Sequence, residues 1–404
     1  MAVNPGTAVE TPYRLPIAHR PDVYPSDLRI AFLTNIIAPY WKSILDALSR
    51  RYGNMRILVS ARTEPNRHWK VDWSGLDVVV QKTITLTRRW RHPKGFTESI
   101  YLHLPIDTTR QLRSFSAQIV ISNEMGFRTL LALLFRKMHA DSRLIVWAEM
   151  ALSTEQGRGR VRHVLRRFLS KNVDSFVVPG ESGARYLRTL GVDDRKIFRV
   201  PYTIDVERFA SCPLARDENR GQTLLYVGQL IERKGLLRFL TILATWATAN
   251  PNRMIRFVLA GHGPLRSKLE GQVVPPNLTV AFVGDIAYGD LPNIYAEAGI
   301  FVFPTLADTW GVVVNEALAS GLPVLGSLES QAVEELIQDG RNGWTFHPDH
   351  NYGIYDAIDR CMNTFHAALN AMRRCARETA MQFTPDYVAD RIHSVVTSVG
   401  DRSQ

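Results

Sequence analysis

The chain has 404 residues, of which 45% are hydrophobic and 22% charged, and this size is typical of a globular protein with two domains of roughly 150 to 200 residues each. Its three cysteines are widely spaced, so neither a disulfide framework nor a zinc site is expected. Lysine and arginine outnumber aspartate and glutamate by 49 to 39, and the net charge of +10 favours anionic partners such as nucleotide phosphates, anionic lipid or nucleic acid.

Residues 1–26 contain prolines and mixed charges but lack the apolar segment that a signal peptide requires. We therefore expect a flexible N-terminal tail. No run of the chain approaches the roughly 20 apolar residues that span a bilayer, so an integral membrane protein is not expected. The predicted location is the cytoplasm, including the inner face of the membrane.

Strand patterns alternate with helical patterns between residues 27 and 205. Apolar strand patterns occur at 29–34, 55–60, 118–122, 144–146 and 175–178, and helical periodicity covers 39–51, about 127–139 and about 160–171. This alternation predicts a parallel sheet covered by helices, which is a first Rossmann-like domain.

Three polar residues directly follow strands of this first domain. Asn35 follows the first strand, Glu124 lies just after the strand at 118–122, and Glu149 lies just after the strand at 144–146. Open parallel sheets bind ligands at the carboxyl ends of their strands, so these side chains are candidates for holding an acceptor molecule. A surface or N-cap role for Glu149 explains the sequence equally well.

Residues 158–171 form a predicted basic helix with six lysines or arginines and no acid. Its apolar residues recur at helical spacing, as in helices that lie on anionic lipid, and a second basic, aromatic stretch at 87–94 indicates the same. Alternatively, the apolar stripe packs on the first sheet and the arginines are solvated.

Residues 206–220 are polar and irregular and form the predicted hinge. A second alternation follows, with strands at 223–227, 255–259, 279–282 and 300–304 and helices at 236–248 and 291–297. Residues 221–383 are therefore predicted to form a second Rossmann-like domain. A C-terminal helix at 384–404 would begin with a threonine N-cap and a proline at its first position.

The loop at 228–235 contains two cations just before a predicted helix. Arg233 and Lys234 oppose the helix dipole there, an unfavourable arrangement that a bound diphosphate would reverse. Gln229 lies in the same loop and is a further candidate ligand. A solvated pair of surface cations is the alternative.

Two more loops of this domain follow strands. Residues 261–264 carry His262 between two glycines, and an exposed turn is the more ordinary interpretation of that histidine. Ile286 follows the strand at 279–282, where it could pack a nucleotide base, although a plain turn would have the same sequence.

Residues 300–326 combine a buried strand, a polar loop, a helix and a second strand. The helix begins after Gly311, so the N–H groups of Gly311, Val312 and Val313 are candidates for binding phosphate. Gly321 and the proline two residues later end the helix.

Two acids belong to this segment. Glu316 lies roughly 6 Å along the helix axis from its start, a suitable offset for the ribose attached to such a phosphate. Asp308 lies in the preceding loop, on the side where a group attached beyond the phosphate would lie. A solvated loop aspartate and a surface glutamate are the alternative interpretation.

These motifs resemble those of the retaining glycosyltransferases of family 4. In that family an acid, seven residues and a glutamate occupy the same strand, loop and helix, although Asp308 replaces the usual glutamate. Lys234 matches a lysine of the family, and Gln229 replaces its arginine. The similarity is strongest over 220–345 and weaker over 144–210.

The resemblance implies the α/β GT-B fold, with two Rossmann-like, doubly wound domains facing each other across a cleft. The N-terminal domain would bind the acceptor, a glycan or lipid-linked molecule, and the C-terminal domain a UDP-, GDP- or ADP-linked sugar. The C-terminal helix would cross back to the N-terminal domain. Transfer would retain the anomeric configuration without a metal or other cofactor, with catalytic roles for Asp308, Lys234 and Glu316.

Two other functions compete with this interpretation. A protein that binds nucleic acid or an anionic surface without transferase activity would explain the charge of +10, but no nucleic-acid-binding signature occurs. A dinucleotide oxidoreductase is disfavoured because the loop after the first strand has no Gly-x-Gly-x-x-Gly spacing in either domain, at 35–41 or at 228–235. We therefore expect no nucleic-acid partner.

Overall fold

A computed structural model describes residues 27–64, 67, 71–217 and 223–400. The predicted flexible tail at 1–26 lies outside the described residues, as do 218–220 of the predicted hinge and 401–404 of the predicted C-terminal segment.

The N-terminal half is built on a seven-stranded parallel sheet, whose strands lie in the spatial order Asp77–Val80, Met55–Val59, Ile30–Thr34, Ile119–Asn123, Arg143–Trp147, Ser175–Val178 and Ile197–Arg199. Its central strands are fully buried apolar runs, as expected for a parallel sheet covered on both faces. The elements are β1 (Ile30–Thr34), α1 (Pro39–Arg51), β2 (Met55–Val59), β3 (Asp77–Val80), β4 (Thr83–Arg91), β5 (Thr97–Pro105), α2 (Thr108–Phe115), β6 (Ile119–Asn123), α3 (Phe127–Met138), β7 (Arg143–Trp147), α4 (Leu152–Glu155), α5 (Arg160–Asn172), β8 (Ser175–Val178), α6 (Glu181–Thr189) and β9 (Ile197–Arg199).

Strands β4 and β5 form a separate antiparallel hairpin, which we call the β4–β5 hairpin. Residues 92–96 are its tip. Strand β4 is largely exposed, whereas β5 is mostly buried or half-buried, and the sequence pattern predicted neither of them. Trp90 and Lys94 of the basic stretch at 87–94 are held by the chain itself, because Trp90 stacks against Arg158 at 3.7 Å and Lys94 pairs with two carboxylates.

The C-terminal half contains a six-stranded parallel sheet, whose strands lie in the spatial order Leu278–Gly284, Ile255–Ala260, Thr223–Val227, Ile300–Phe303, Val324–Ser327 and Gly343–Phe346. The predicted irregular hinge includes a short helix, α7. The elements are α7 (Val206–Ala210), β10 (Thr223–Val227), α8 (Leu236–Ala249), β11 (Ile255–Ala260), α9 (Arg266–Glu270), β12 (Leu278–Gly284), α10 (Leu291–Glu297), β13 (Ile300–Phe303), α11 (Val312–Ala319), β14 (Val324–Ser327), α12 (Gln331–Leu336), β15 (Gly343–Phe346), α13 (Asn351–Met362), α14 (His366–Met381) and α15 (Pro385–Gly400).

Helix α15 joins the end of the chain to the N-terminal half. The predicted cap is confirmed, because the Thr384 hydroxyl accepts a hydrogen bond of 3.1 Å from the backbone N–H of Tyr387 and Pro385 begins the helix. The helix packs along α1, where the Tyr52 hydroxyl lies 2.7 Å from Nδ1 of His393.

Hydrogen bonds also join the carboxyl edges of the two sheets. Gln331, which begins α12 after β14, donates to the carbonyl oxygen of Met150 at 2.8 Å and accepts from the N–H of Gly183 at 2.8 Å. The two sheets therefore face each other across a cleft. Among the residues that the structure describes, no helix is long and apolar enough to cross a membrane.

Candidate active site

The loop after β10 brings two cations against the loop after β13. Residues Glu232–Lys234 form a 3₁₀ turn that ends at Gly235 with φ of 68°. A Cβ atom at Gly235 would lie 2.1 Å from the carbonyl oxygen of Pro304, so only glycine permits this close approach.

Asp308 is the centre of the resulting ion-pair cluster. Its Oδ2 accepts hydrogen bonds from Nζ of Lys234 at 2.5 Å and from Nη1 of Arg233 at 3.0 Å. Burial by itself raises the pKa of Asp308, but the two cations outweigh it and lower that pKa to about 2. The carboxylate is thus ionised at any physiological pH, and the alternative of solvated charges is wrong.

The N-terminus of α11 follows Asp308 closely in the chain. Gly311 adopts φ of 103°, and a Cβ atom there would lie 2.6 Å from the Phe303 ring. The backbone N–H of Val314 donates to the carbonyl oxygen of Gly311 at 2.9 Å, so the N–H groups of Val312 and Val313 precede the first bond of the helix. Both valines are half-buried.

Glu316 is buried, with 5% of its surface exposed, and is not the surface glutamate of the alternative interpretation. Its Oε2 accepts a 2.8 Å hydrogen bond from the hydroxyl of Tyr295, a residue that no sequence motif indicated. Burial raises the pKa of Glu316 to about 7, although the Tyr295 hydrogen bond opposes the shift. Contact with a ribose remains a prediction for this residue.

The other predicted donor-binding residues lie in neighbouring loops. The carbonyl oxygen of Gln229 accepts from the Tyr226 hydroxyl at 2.8 Å. The imidazole of His262 lies 2.7 Å from the Asp285 carboxylate in an exposed pair, consistent with a turn residue. Ile286 is half-buried against the core of the C-terminal half. Their ligand roles remain predictions.

The three predicted acceptor residues belong to one polar cluster at the edge of the N-terminal sheet. Nδ2 of Asn35 donates to Oε2 of Glu124 at 3.0 Å, and Nδ2 of Asn123 donates to Oε1 of Glu149 at 3.0 Å. The guanidinium of Arg128 joins the two pairs, because it donates to the carbonyl oxygen of Asn123 at 3.1 Å and to the side chain of Asn35.

Glu149 is held more firmly than the other acid of this cluster. The Tyr202 hydroxyl also donates to its Oε1. Burial raises the pKa of Glu149, and its hydrogen bonds from Tyr202 and Asn123 partly offset the shift. A half-buried carboxyl at a cleft with a perturbed pKa is a candidate functional group.

Tyr40 lies beside the acceptor cluster, and sequence reasoning missed it. Its ring packs edge-on against Tyr202 at 5.9 Å between ring centres, and Tyr202 donates to Glu149. Burial raises the pKa of Tyr40, and the charges of Glu149 and Asp308 raise it further. Its only sequence signal was its position at the start of α1, directly beyond the carboxyl end of β1, an edge at which parallel sheets bind ligands.

Two facing α/β sheets with polar residues along the shared cleft define the GT-B class of fold. The crystal structure of HepE from Anabaena in complex with UDP has this fold, with a TM-score of 0.70 at 15% sequence identity over 92% of this chain and 100% of that one. The family model of the "Glycosyl transferase 4-like domain" matches residues 37–203, and that of "Glycosyl transferases group 1" matches residues 221–364.

The chain therefore belongs to the GT-B glycosyltransferases of the family 4 type, as the sequence motifs predicted. It is 28% identical over 212 residues to the sulfoquinovosyl transferase SQD2 of Arabidopsis thaliana, covering 50% of this chain and 39% of that protein. It is 25% identical over 247 residues to the alpha-monoglucosyldiacylglycerol synthase of Streptococcus pneumoniae, covering 58% and 54%. The chain thus spans about half the length or less of these curated relatives, and a nucleic-acid-binding function is not favoured.

Proposed function

We propose that this protein is a retaining, metal-independent glycosyltransferase that moves a sugar from a UDP-, GDP- or ADP-linked donor to a glycan or lipid-linked acceptor in polysaccharide or glycolipid synthesis. The observation that carries this proposal is the pair of cations, Arg233 and Lys234, held on Asp308 just before the N-terminus of α11. Two cations and a helix N-terminus in one partly buried corner suit a diphosphate.

The donor would bind with its diphosphate at this corner. As the bond between the sugar C1 and the diphosphate oxygen breaks, negative charge grows on the leaving group. The ammonium group of Lys234, the N–H groups of Gly311, Val312 and Val313 and the α11 dipole would stabilise that charge, which is the main catalytic contribution expected of preorganised donors. These groups supply the positive charge that a metal ion provides in other enzymes.

In the single-step retaining route that the family resemblance implies, the acceptor hydroxyl attacks C1 from the face that the diphosphate leaves. The hydroxyl oxygen forms the new bond to C1, and its proton passes to the departing phosphate oxygen. Glu316 would bind the ribose and Asp308 would position the donor sugar. Glu149, Glu124 and Asn35 would hold the acceptor on the opposite side of the cleft.

A thermal-shift panel of UDP, GDP, ADP and their sugar conjugates tests this function. We expect one nucleotide series to raise the melting temperature, and the effect should disappear when Lys234 is replaced by glutamine. If no nucleoside diphosphate raises the melting temperature, the proposal is wrong.

A peripheral membrane surface is a second part of the proposal, and the exposure of helix α5 supports it. Three apolar side chains of the predicted stripe point outward, with Val161 85%, Val164 67% and Phe168 45% exposed. The Lys137 ammonium of α3 lies 5.7 Å from the centre of the Phe168 ring. Leu169 is buried, so the helix packs by its other side.

We expect anionic vesicles to bind the protein through this surface, because apolar side chains flanked by cations suit an anionic bilayer. Replacing Val161, Val164 and Phe168 together by serine should abolish co-flotation with vesicles that contain anionic lipid. Val273→Ser is the control, because Val273 is 96% exposed on the other half. Equal flotation of wild type and triple variant would exclude α5 as the membrane surface.

A further inference from the structure

The β4–β5 hairpin reaches from the N-terminal half to the ion-pair cluster of the C-terminal half. Its Glu98 accepts a hydrogen bond of 2.5 Å from Nε of Arg233, and the backbone N–H of Thr97 lies 3.4 Å from Oε2 of Glu232. At the hairpin tip, Nζ of Lys94 lies 2.8 Å from Glu329 and 2.8 Å from Asp349.

The hairpin is anchored differently on its two sides. Toward the N-terminal half, the ring of the buried His92 lies 2.7 Å from the carbonyl oxygen of Ser153, and the indole N–H of Trp90 donates to Gly157 at 3.2 Å. Toward the C-terminal half, its polar contacts are chiefly partly exposed ion pairs, which are weak individually. The hairpin would therefore move with the N-terminal half.

Glu98 and Asp308 together neutralise the two cations of the proposed donor site. Nε of Arg233 is occupied by Glu98, and its Nη1 by Asp308 and the carbonyl oxygen of Ala307. Asp308 is fixed by its own backbone, because its N–H donates to the carbonyl oxygen of Glu329 at 2.9 Å. Glu98 belongs to the hairpin and moves with it, so Glu98, and not Asp308, is the carboxylate that can leave Arg233.

We propose that Glu98 is an internal competitor of the donor diphosphate: it pairs with Arg233 before the donor binds and is displaced, with the β4–β5 hairpin, when a nucleoside diphosphate arrives. If a diphosphate binds Arg233, its negative charge lies close to that of Glu98. The two anions repel each other, and the Arg233 guanidinium cannot pair well with both. Donor binding is thereby coupled to release of the hairpin from the C-terminal half. This inference rests on the proposed function, because it takes Arg233 as a diphosphate ligand.

Calorimetric titration of the full chain with UDP, GDP and ADP, and with uridine, guanosine and adenosine, tests the competition. Glu98→Gln keeps the shape of the side chain and removes its charge. It should tighten binding of the preferred nucleoside diphosphate up to about fivefold, the range for loss of one competing, partly exposed ion pair. The affinity for the nucleoside without phosphates should not change. Glu270→Gln is the control, because Glu270 pairs with Arg266 on α9 and neither residue belongs to the hairpin.

An unchanged or weaker diphosphate affinity in Glu98→Gln overturns the inference and leaves the proposed function intact. If the wild-type protein binds neither UDP nor GDP nor ADP, both fall together. Hydrogen exchange of residues 83–105 gives an independent readout. We expect faster exchange at the hairpin in saturating nucleoside diphosphate, and slower exchange there would contradict the competition.

Discussion

Lys234 is the residue on which the proposed chemistry depends most. Its ammonium group is bonded to Asp308 at 2.5 Å and lies 4.8 Å from the centre of the Phe303 ring, so it is fixed in position before any donor arrives. A preorganised cation stabilises a developing charge without the cost of reorienting solvent. The substitution of Gln229 for the usual arginine of the family makes Lys234 and Arg233 the remaining cations of that loop.

We predict that Lys234→Gln lowers kcat/KM for sugar transfer about 10²- to 10³-fold. This is the loss typical of removing one hydrogen-bond donor from a preorganised anion site. Lys268→Gln is the matched control, because Lys268 is exposed on α9 in the same half. Steady-state transfer assays with the preferred donor measure both variants. Wild-type kcat/KM in Lys234→Gln would place the diphosphate elsewhere.

The buried carboxyl of Glu316 makes stability depend on pH. Its pKa is raised from 4.5 to about 7 in the folded protein, so the folded state holds a proton that the unfolded state releases between these values. The stability that this proton provides is complete below pH 4.5 and is lost as the pH rises through 7. The loss amounts to about 3 kcal/mol.

We therefore predict that Glu316→Gln, which cannot ionise, becomes more stable relative to wild type as the pH rises from about 5 to about 8.5. Chemical denaturation of both proteins at several pH values measures this difference. Gln338→Ala, an exposed change in the same half, should show no such trend. A constant difference between Glu316→Gln and wild type would mean that Glu316 ionises normally in the folded protein.

For individual residues, the sequence predicted which side chains carry charge at the cleft but not which side chains they pair with. Lys234 and Asp308 could be assigned because each follows a strand of one parallel sheet, whose carboxyl ends share an edge. Glu98 could not be assigned to the cleft from the sequence, because it belongs to the other half and its contact with Arg233 depends on how the two halves close. The spacing of Tyr295 and Glu316 likewise gives no sign of the hydrogen bond that joins them.

Among the elements, α11 has the strictest backbone requirement. Gly311→Ala places a methyl group 2.6 Å from the Phe303 ring and 2.8 Å from the Ser330 hydroxyl, at a φ of 103° that L-residues avoid. We predict a loss of about 2 to 4 kcal/mol in stability and weaker diphosphate binding, because the helix N-terminus must shift.

Gly340→Ala is the control for this prediction. Gly340 has φ of 77°, but the space that a methyl group would enter is open to a distance of 4 Å, so the variant tests the backbone conformation without the clash. Its cost should be about 1 kcal/mol. Denaturant unfolding gives both stabilities, and equal losses in the two variants would show that the packing at Gly311 is unimportant.

The helices and strands that bury an apolar face were predicted well from the sequence. Strands β10, β11 and β13 and helices α1, α8 and α10 begin and end within a residue or two of the predicted positions. The β4–β5 hairpin was missed because neither strand has a fully buried face, and such strands lack the apolar alternation by which strands are recognised. Its arginines instead suggested a membrane-facing stretch.

On the scale of the whole molecule, the closed arrangement of the two halves depends on a few polar contacts near the cleft. Gln331 is 1% exposed and bonds to Met150 and Gly183 of the opposite half. Helix α15 makes a separate connection by packing on α1. The two halves are thus joined at the cleft by hydrogen bonds, and these bonds can exchange partners. Away from the cleft the halves are joined by apolar packing.

We predict that Gln331→Ala opens the cleft, because it leaves the buried N–H of Gly183 without that acceptor at a cost of about 1 to 3 kcal/mol. Small-angle scattering should show a larger radius of gyration than for wild type. Gln338→Ala, which changes an exposed glutamine of the same half, should leave the radius unchanged. An unaltered radius in Gln331→Ala would show that other contacts suffice for closure.

The central claim is that a nucleoside diphosphate binds where Arg233, Lys234 and the N-terminus of α11 meet. The most direct test is a crystal structure of the protein with the nucleoside diphosphate that the thermal-shift panel selects. We predict phosphate oxygens within hydrogen-bonding distance of Nζ of Lys234 and of the N–H groups of Val312 and Val313. A nucleotide bound elsewhere, with Lys234 still paired only to Asp308, would contradict this claim.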